Sequence, residues 1–124
     1  MSCVPMPVLV EVGLAMFEGA SKYGRHNYRA TPIRASVYFD ALMRHAIAWW
    51  EGEDIDADST LSHVTKAITT LVVLRDAMIQ GKLVDDRPPP SKPFMEAANR
   101  RAGFIAQDYG GREVKHYTKE DDVT

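Results

Sequence analysis

Cysteine is almost missing from this chain. Cys3 stands alone, so no intrachain disulfide can staple the fold, and the sequence suits a reducing compartment such as the cytoplasm. An excess of charge is missing too: Lys and Arg number 15 against 17 Asp and Glu, a net charge of -2. That balance argues against binding to nucleic acid or to an anionic membrane surface, since either normally draws on a basic patch. The most apolar stretch, MSCVPMPVLVEVGLAMF at the start, contains Glu11 and two prolines and has no basic run before it. Neither a signal peptide nor a membrane span is expected there. Alternation of apolar and polar residues with period 2 is nowhere sustained, which argues against a sheet, and there are no internal repeats. The G-x-x-x-x-G-K-[ST] phosphate loop is also absent.

What is present reads as helix. With 124 residues, 45% of them hydrophobic and 26% charged, the chain has the means for one modest core. From about Pro7 to Ala20, Val8, Val12, Ala15, Met16 and Ala20 recur at helical spacing. Gly24, Asn27 and Pro32 break the pattern. Ser36 is the expected N-cap of a second helix, whose stripe runs through Phe39, Leu42, Met43, Ala46, Ile47 and Trp50 to Gly52. Asp58 or Ser59 is expected to cap a third helix, from about Thr60 to Gln80, which Gly81 ends. Beyond Pro88, Pro89 and Pro90 a shorter fourth helix is expected from about Lys92 to Ala102. The expectation is an all-α protein, a small bundle of about four helices over residues 1–109, followed by a charged arm or disordered tail over 110–124. Helices this short leave apolar stripe uncovered, so a homo-oligomer, a dimer or a tetramer, is also expected.

Two segments carry chemistry. Residues 44–63, RHAIAWWEGEDIDADSTLSH, place two histidines, two glutamates and three aspartates around one helix-to-helix turn. Carboxylates so crowded repel one another unless water screens them or a cation sits among them. Oxygen-rich sets suit Mg²⁺ or Mn²⁺, the histidines admitting the softer ion. The candidate ligands are His45, Glu53, Asp56, Asp58 and His63, with Glu53 and Asp56 also the catalytic candidates. The plainer alternative is a solvated acidic turn whose aspartates cap the next helix, with His45 a core histidine. The second segment, GASKYGRHNYR at residues 19–29, offers Lys22, Arg25 and Arg29 to phosphates and the amide of Asn27 as a donor. Tyr23 and Trp49 are candidates to stack a base.

The ordered series G-A-x-K-Y-G, N, R-H, W, G-E, D, H, spanning about Gly19 to Leu74, resembles the phage and bacterial MazZ-like dATP/dGTP diphosphohydrolases, a branch of the all-α MazG superfamily. The resemblance implies metal-dependent cleavage of purine deoxynucleoside triphosphates between the α and β phosphates, giving the monophosphate and pyrophosphate. In some phages such enzymes supply dGMP for a 2-aminoadenine genome, and the host cytoplasm is then the place of action. Arg44 and Lys66 join the expected substrate contacts, Lys66 standing where the branch often has a further histidine. The wider superfamily holds its metal on an E-x-x-E and an E-x-x-D, whereas here Leu42 and His45 take one such pair and Thr60 and His63 the other. Two other classes compete: a non-catalytic helical module binding a protein through its tryptophan face, and an HD-type metal phosphohydrolase. The second is weakened because no His-Asp pair is adjacent in the chain.

Overall fold

The computed structural model describes residues 1–123. Its order is α1 (Met6–Tyr23), α2 (Asn27–Ala30), β1 (Ile33–Arg34), α3 (Ala35–Trp50), α4 (His63–Ile79), β2 (Leu83–Val84) and α5 (Met95–Tyr109), then a 3₁₀ turn at Lys119–Asp121. The fold is all-α, with one very small sheet. The chain divides into two compact units, the first Met1–Pro88 and the second from Pro89 onward. Among the described residues no helix is long and apolar enough to cross a membrane.

In the first unit α4 is the central element, packed against both α3 and α1. The core is small: Ile33, Val73 and Ala77, with Met16, Tyr28, Tyr38 and Leu83 packed around them. Ile33 reaches that core because β1 and β2 pair in parallel, Ile33 opposite Leu83 and Arg34 opposite Val84. Two-residue strands carry too little alternation to be read from sequence. Arg29 on α2 makes two hydrogen bonds to Asp76 on α4, at 2.7 and 2.9 Å, which fixes the short helix to the bundle.

Helix ends depart from expectation in two places. Ser36 does not cap α3. Arg34 is the N-cap without a side-chain bond, and the Ser36 backbone N–H (2.8 Å) and hydroxyl both donate to Asp86, 50 residues away. A distant carboxylate thus does the work of a local cap. Nor does α4 begin at Thr60 under an Asp58 or Ser59 cap. It begins at His63 under Ser62, whose hydroxyl accepts from Val64 N and Thr65 N. Thr60 has φ +63°, outside helical space, and Ile55 and Ser62 form an antiparallel bridge that keeps the chain extended up to the cap.

The C-termini of α3 and α4 share one solution. After α3, Gly52 takes φ +102°; its N–H donates to Trp49 O at 3.0 Å, and Glu53 N donates to Ala48 O at 3.0 Å. After α4, Gly81 takes φ +68°, with Gly81 N to Met78 O at 3.3 Å and Lys82 N to Ala77 O at 2.9 Å. Both are Schellman closures, which need a residue at ease with positive φ.

In the second unit α5 is longer than the expected Lys92–Ala102 segment, ending at Tyr109 where Gly110 and Gly111 follow. None of its residues is buried. Beyond it, Thr118 and Asp121 form a capping box, and Lys115 pairs with Asp121 at 2.6 Å.

Candidate active-site cleft

A cleft of about 230 Å³ opens in the first unit between the C-terminal half of α1, the segment entering α2, and the facing sides of α3 and α4. Its lining is of two kinds. Tyr23, Tyr28 and Tyr38, with Met16 and Val73, supply apolar and aromatic wall. Glu18, Lys22, Lys66 and His45 supply charge and polar atoms.

The charged wall is a chain of ion pairs. Glu18 stands between two lysines, Oε2 2.8 Å from Lys66 Nζ and Oε1 2.7 Å from Lys22 Nζ, the latter an ion pair by distance without hydrogen-bond geometry, since buried Oε1 has no hydrogen-bond partner among the described residues. Lys22, and after it Lys66, hold the Glu18 carboxyl below the usual carboxylate range. Lys22 also reaches Asp58 at 2.8 Å, and Asp58 ahead of Glu18 raises the lysine above its ordinary value. Asp58 is 77% exposed, so that second partner is readily exchanged for another anion.

Beside the cleft runs a second series. His45 Nδ1 lies 2.9 Å from His63 Nδ1, and His63 Nε2 lies 3.0 Å from Glu53 Oε1. His63 is buried, while the Glu53 side chain is 57% exposed. Burial lowers the His45 pKa; Asp56 opposes that shift, and His63, Lys66 and Arg44 add to it. Local structure explains the placement. The Schellman closure at Gly52 turns the chain so that Glu53 leaves α3 at a fixed angle, and the bond from His63 N to Asp54 O at 2.9 Å brings the start of α4 back alongside.

Of the residues expected from sequence, Lys22, Tyr23, Asn27, His45 and Lys66 line the cleft. Glu53 and His63 join His45 through the second series. Asp56 is occupied locally: its Oδ2 accepts from Ser59 N at 3.1 Å and Ser59 Oγ at 2.6 Å, and the Ser59 bond lowers its pKa. Asp58 is on Lys22, and Arg29 is on Asp76. Arg25, Arg44 and Trp49 are not among the lining residues. Among the described residues no group of three or more His, Cys, Asp or Glu is placed to share one metal ion. The donor types suit a hard cation. The five candidate ligands stand in series or are tied to lysine and serine: His45, His63 and Glu53 in one line, Asp56 on Ser59 and Asp58 on Lys22.

Sequence reasoning passed over Glu18. Its spacing of four from Lys22 was the available signal, since residues four apart share a helix face. Tyr38 was also passed over, because it looks like any aromatic on an apolar stripe.

The family described as dATP/dGTP diphosphohydrolase, N-terminal, has a model that matches residues 1–87. The chain belongs to that family. The match ends within one residue of the first compact unit's limit at Pro88, and every lining residue of the cleft lies inside it. None of the curated proteins and none of the solved structures matches the chain.

Proposed function

We propose that this chain hydrolyses dATP and dGTP between the α and β phosphates, releasing the deoxynucleoside monophosphate and pyrophosphate. The observation that carries the reading is the cleft inside the family-matched segment, where aromatic wall and two lysines face one space. Tyrosine faces stack on a purine. The ammonium groups of Lys22 and Lys66 meet phosphate oxygens, and they hold the charge that gathers on the departing pyrophosphate. Glu18 keeps both lysines pointed into the cleft before substrate arrives. Asp58, the exposed partner of Lys22, gives way to phosphate.

The Mg²⁺ or Mn²⁺ expected from sequence enters, in this proposal, as part of the substrate, a cation complex of the triphosphate. A homodimer or homotetramer, action in the cytoplasm, and the supply of dGMP for 2-aminoadenine DNA complete the proposal; the first rests on the apolar side chains left exposed on α1 and α3, the second on the lone cysteine, and the third on the sequence resemblance.

The test is incubation with each of the four deoxynucleoside triphosphates and Mg²⁺ or Mn²⁺, resolving mono-, di- and inorganic phosphates. Monophosphate with pyrophosphate from dATP or dGTP is the expected result. Release of single phosphates, or no turnover of any of the four, overturns it.

A further inference from the structure

Among the described residues three glycines lie inside helices, Gly13 and Gly19 in α1 and Gly103 in α5. Each makes its helix weaker than alanine would, because a backbone without Cβ loses more freedom on folding. The common reason to accept that loss is another element so close that no side chain fits. Nothing in this chain imposes such a reason at Gly19. A Cβ added there would come within 4 Å of no atom outside its two chain neighbours and its own helical backbone. Its backbone is ordinary α-helix, so no left-handed conformation calls for glycine either. Gly13 and Gly103 also have room around them, but both are exposed and neither borders the cleft. Gly19 is half-buried and lines it. The space in front of Gly19 is therefore the cleft itself.

The place of that space along a bound nucleotide follows from the neighbours of Gly19 on α1. Met16, three residues earlier, packs against Ile33, Val73 and Ala77 together with Tyr28 and Tyr38, and marks the apolar end of the cleft. Lys22, three residues later, stands between Glu18 and Asp58 and marks the charged end. Residues three apart share a helix face and are separated by about 4.5 Å along the axis, so Met16, Gly19 and Lys22 form a row along the cleft. In a nucleotide the sugar lies between the base and the phosphates. With the base on the tyrosines and the phosphates on the lysines, the sugar comes opposite Gly19.

We propose that Gly19 is a specificity-determining residue, whose missing side chain leaves a bay on α1 where the deoxyribose lies against the helix backbone. The inference rests on the proposed function for the kind of ligand, and on the open space in front of Gly19 for its location. The N–H and C=O groups of a helix interior are already paired within the helix, so the bay selects by shape. Sugar carbons fill it, and they hold the base and the α phosphate at a fixed separation. A methyl group on residue 19 would take the same volume.

Gly19→Ala tests this in the full-length protein, because its two expected effects have opposite signs. The thermal midpoint should rise by roughly 2–6 °C, as alanine replaces a helix-interior glycine. Binding of dGMP with Mg²⁺, measured by calorimetry, should weaken about 5- to 100-fold, the range for forcing a methyl group into filled space. Affinity for inorganic tripolyphosphate with Mg²⁺, which meets only the lysines, should not change. Gly103→Ala, the same substitution on α5, should alter neither affinity. Equal dGMP affinity in wild type and Gly19→Ala overturns the proposal, and so does an equal loss for dGMP and tripolyphosphate, which would mean that the whole helix has changed. A lowered midpoint overturns it too, since the space would then be filled by the protein. The binding arms need no turnover, so the two readings fail separately. A wild type that binds dGMP but hydrolyses no triphosphate would overturn the proposed function and leave the bay standing, whereas unchanged dGMP affinity in a Gly19→Ala protein that still hydrolyses dGTP removes Gly19 and leaves the function.

Discussion

Glu18 shows how much one side chain organises. Its two oxygens face Lys22 and Lys66, and the Lys66 side chain is only 19% exposed. Glu18→Gln leaves that ammonium short of a counter-charge, with an expected loss of about 1–3 kcal/mol in stability, the usual cost when a hydrogen bond to a charged group is lost; urea unfolding of both proteins measures it. The pH dependence has a definite sign. The folded carboxyl titrates below the ordinary glutamate value because Lys22 and Lys66 face it, so its contribution is complete above that ordinary value and disappears as pH falls through the lower, folded pKa. Glu18→Gln should therefore be flatter than wild type in stability against pH below about pH 4.5, and parallel curves would remove Glu18 from the network. Lys22→Ala tests the opposite partner. It should raise KM for the triphosphate and leave the affinity for the free deoxynucleoside unchanged, and equal losses for both would show that the lysine does not meet phosphate.

At the scale of elements, the turn from α3 to α4 matters most. Gly52 at φ +102° is what allows Glu53 to donate back to Ala48 and still face His63. Gly52→Ala meets no steric obstacle around the new Cβ but must hold a left-handed conformation, at about 1 kcal/mol or more. The expected result is a modest fall in thermal midpoint with a larger fall in kcat, because the same residue sets the angle of Glu53; a full kcat with a lowered midpoint would detach the turn from the chemistry. This turn also marks what sequence conveys. Helical stripes were legible from spacing alone, and the crowding of ionisable residues after Trp50 pointed to the right neighbourhood. The division of labour among them was not legible. Whether Asp56 faces a ligand or its own Ser59, and whether Asp58 caps a helix or holds Lys22, depends on a backbone path bent by Thr60 at φ +63°. No periodicity encodes that bend. Glu18 was hidden for the converse reason, since an i, i+4 Glu–Lys pair is commonplace on solvated helices and only the approach of α4 makes it a wall of the cleft.

For the whole molecule, the exposed apolar stripes decide the expectation. On α1 Val10, Leu14 and Phe17, and on α3 Phe39, Met43, Ile47 and Trp50, are each at least 40% exposed, and each set falls on one helix face. Surfaces of that kind are normally covered in solution. Sedimentation at micromolar concentration should give a dimer or a tetramer, and Phe39→Lys with Ile47→Lys should shift it toward monomer; a stable wild-type monomer would count against assembly through these faces. The first unit, in turn, holds the family match and the whole cleft, so a fragment of residues 1–88 is expected to fold and retain helical circular dichroism.

The carboxylate of Asp86 bonded to the start of α3 has a kinetic consequence. Nascent α3 emerges with its first-turn N–H groups unanswered, and the group that answers one of them arrives only after α4 and β2 have been made. The same return brings Lys82 O to Ile33 N at 3.2 Å, which seats Ile33 among the tyrosines. Contacts so distant along the chain form late, because loop closure must come before they contribute. The aromatic side of the cleft is therefore among the last parts to take shape, and any partly folded form lacking the 82–86 return would be helical yet without a seated tyrosine wall.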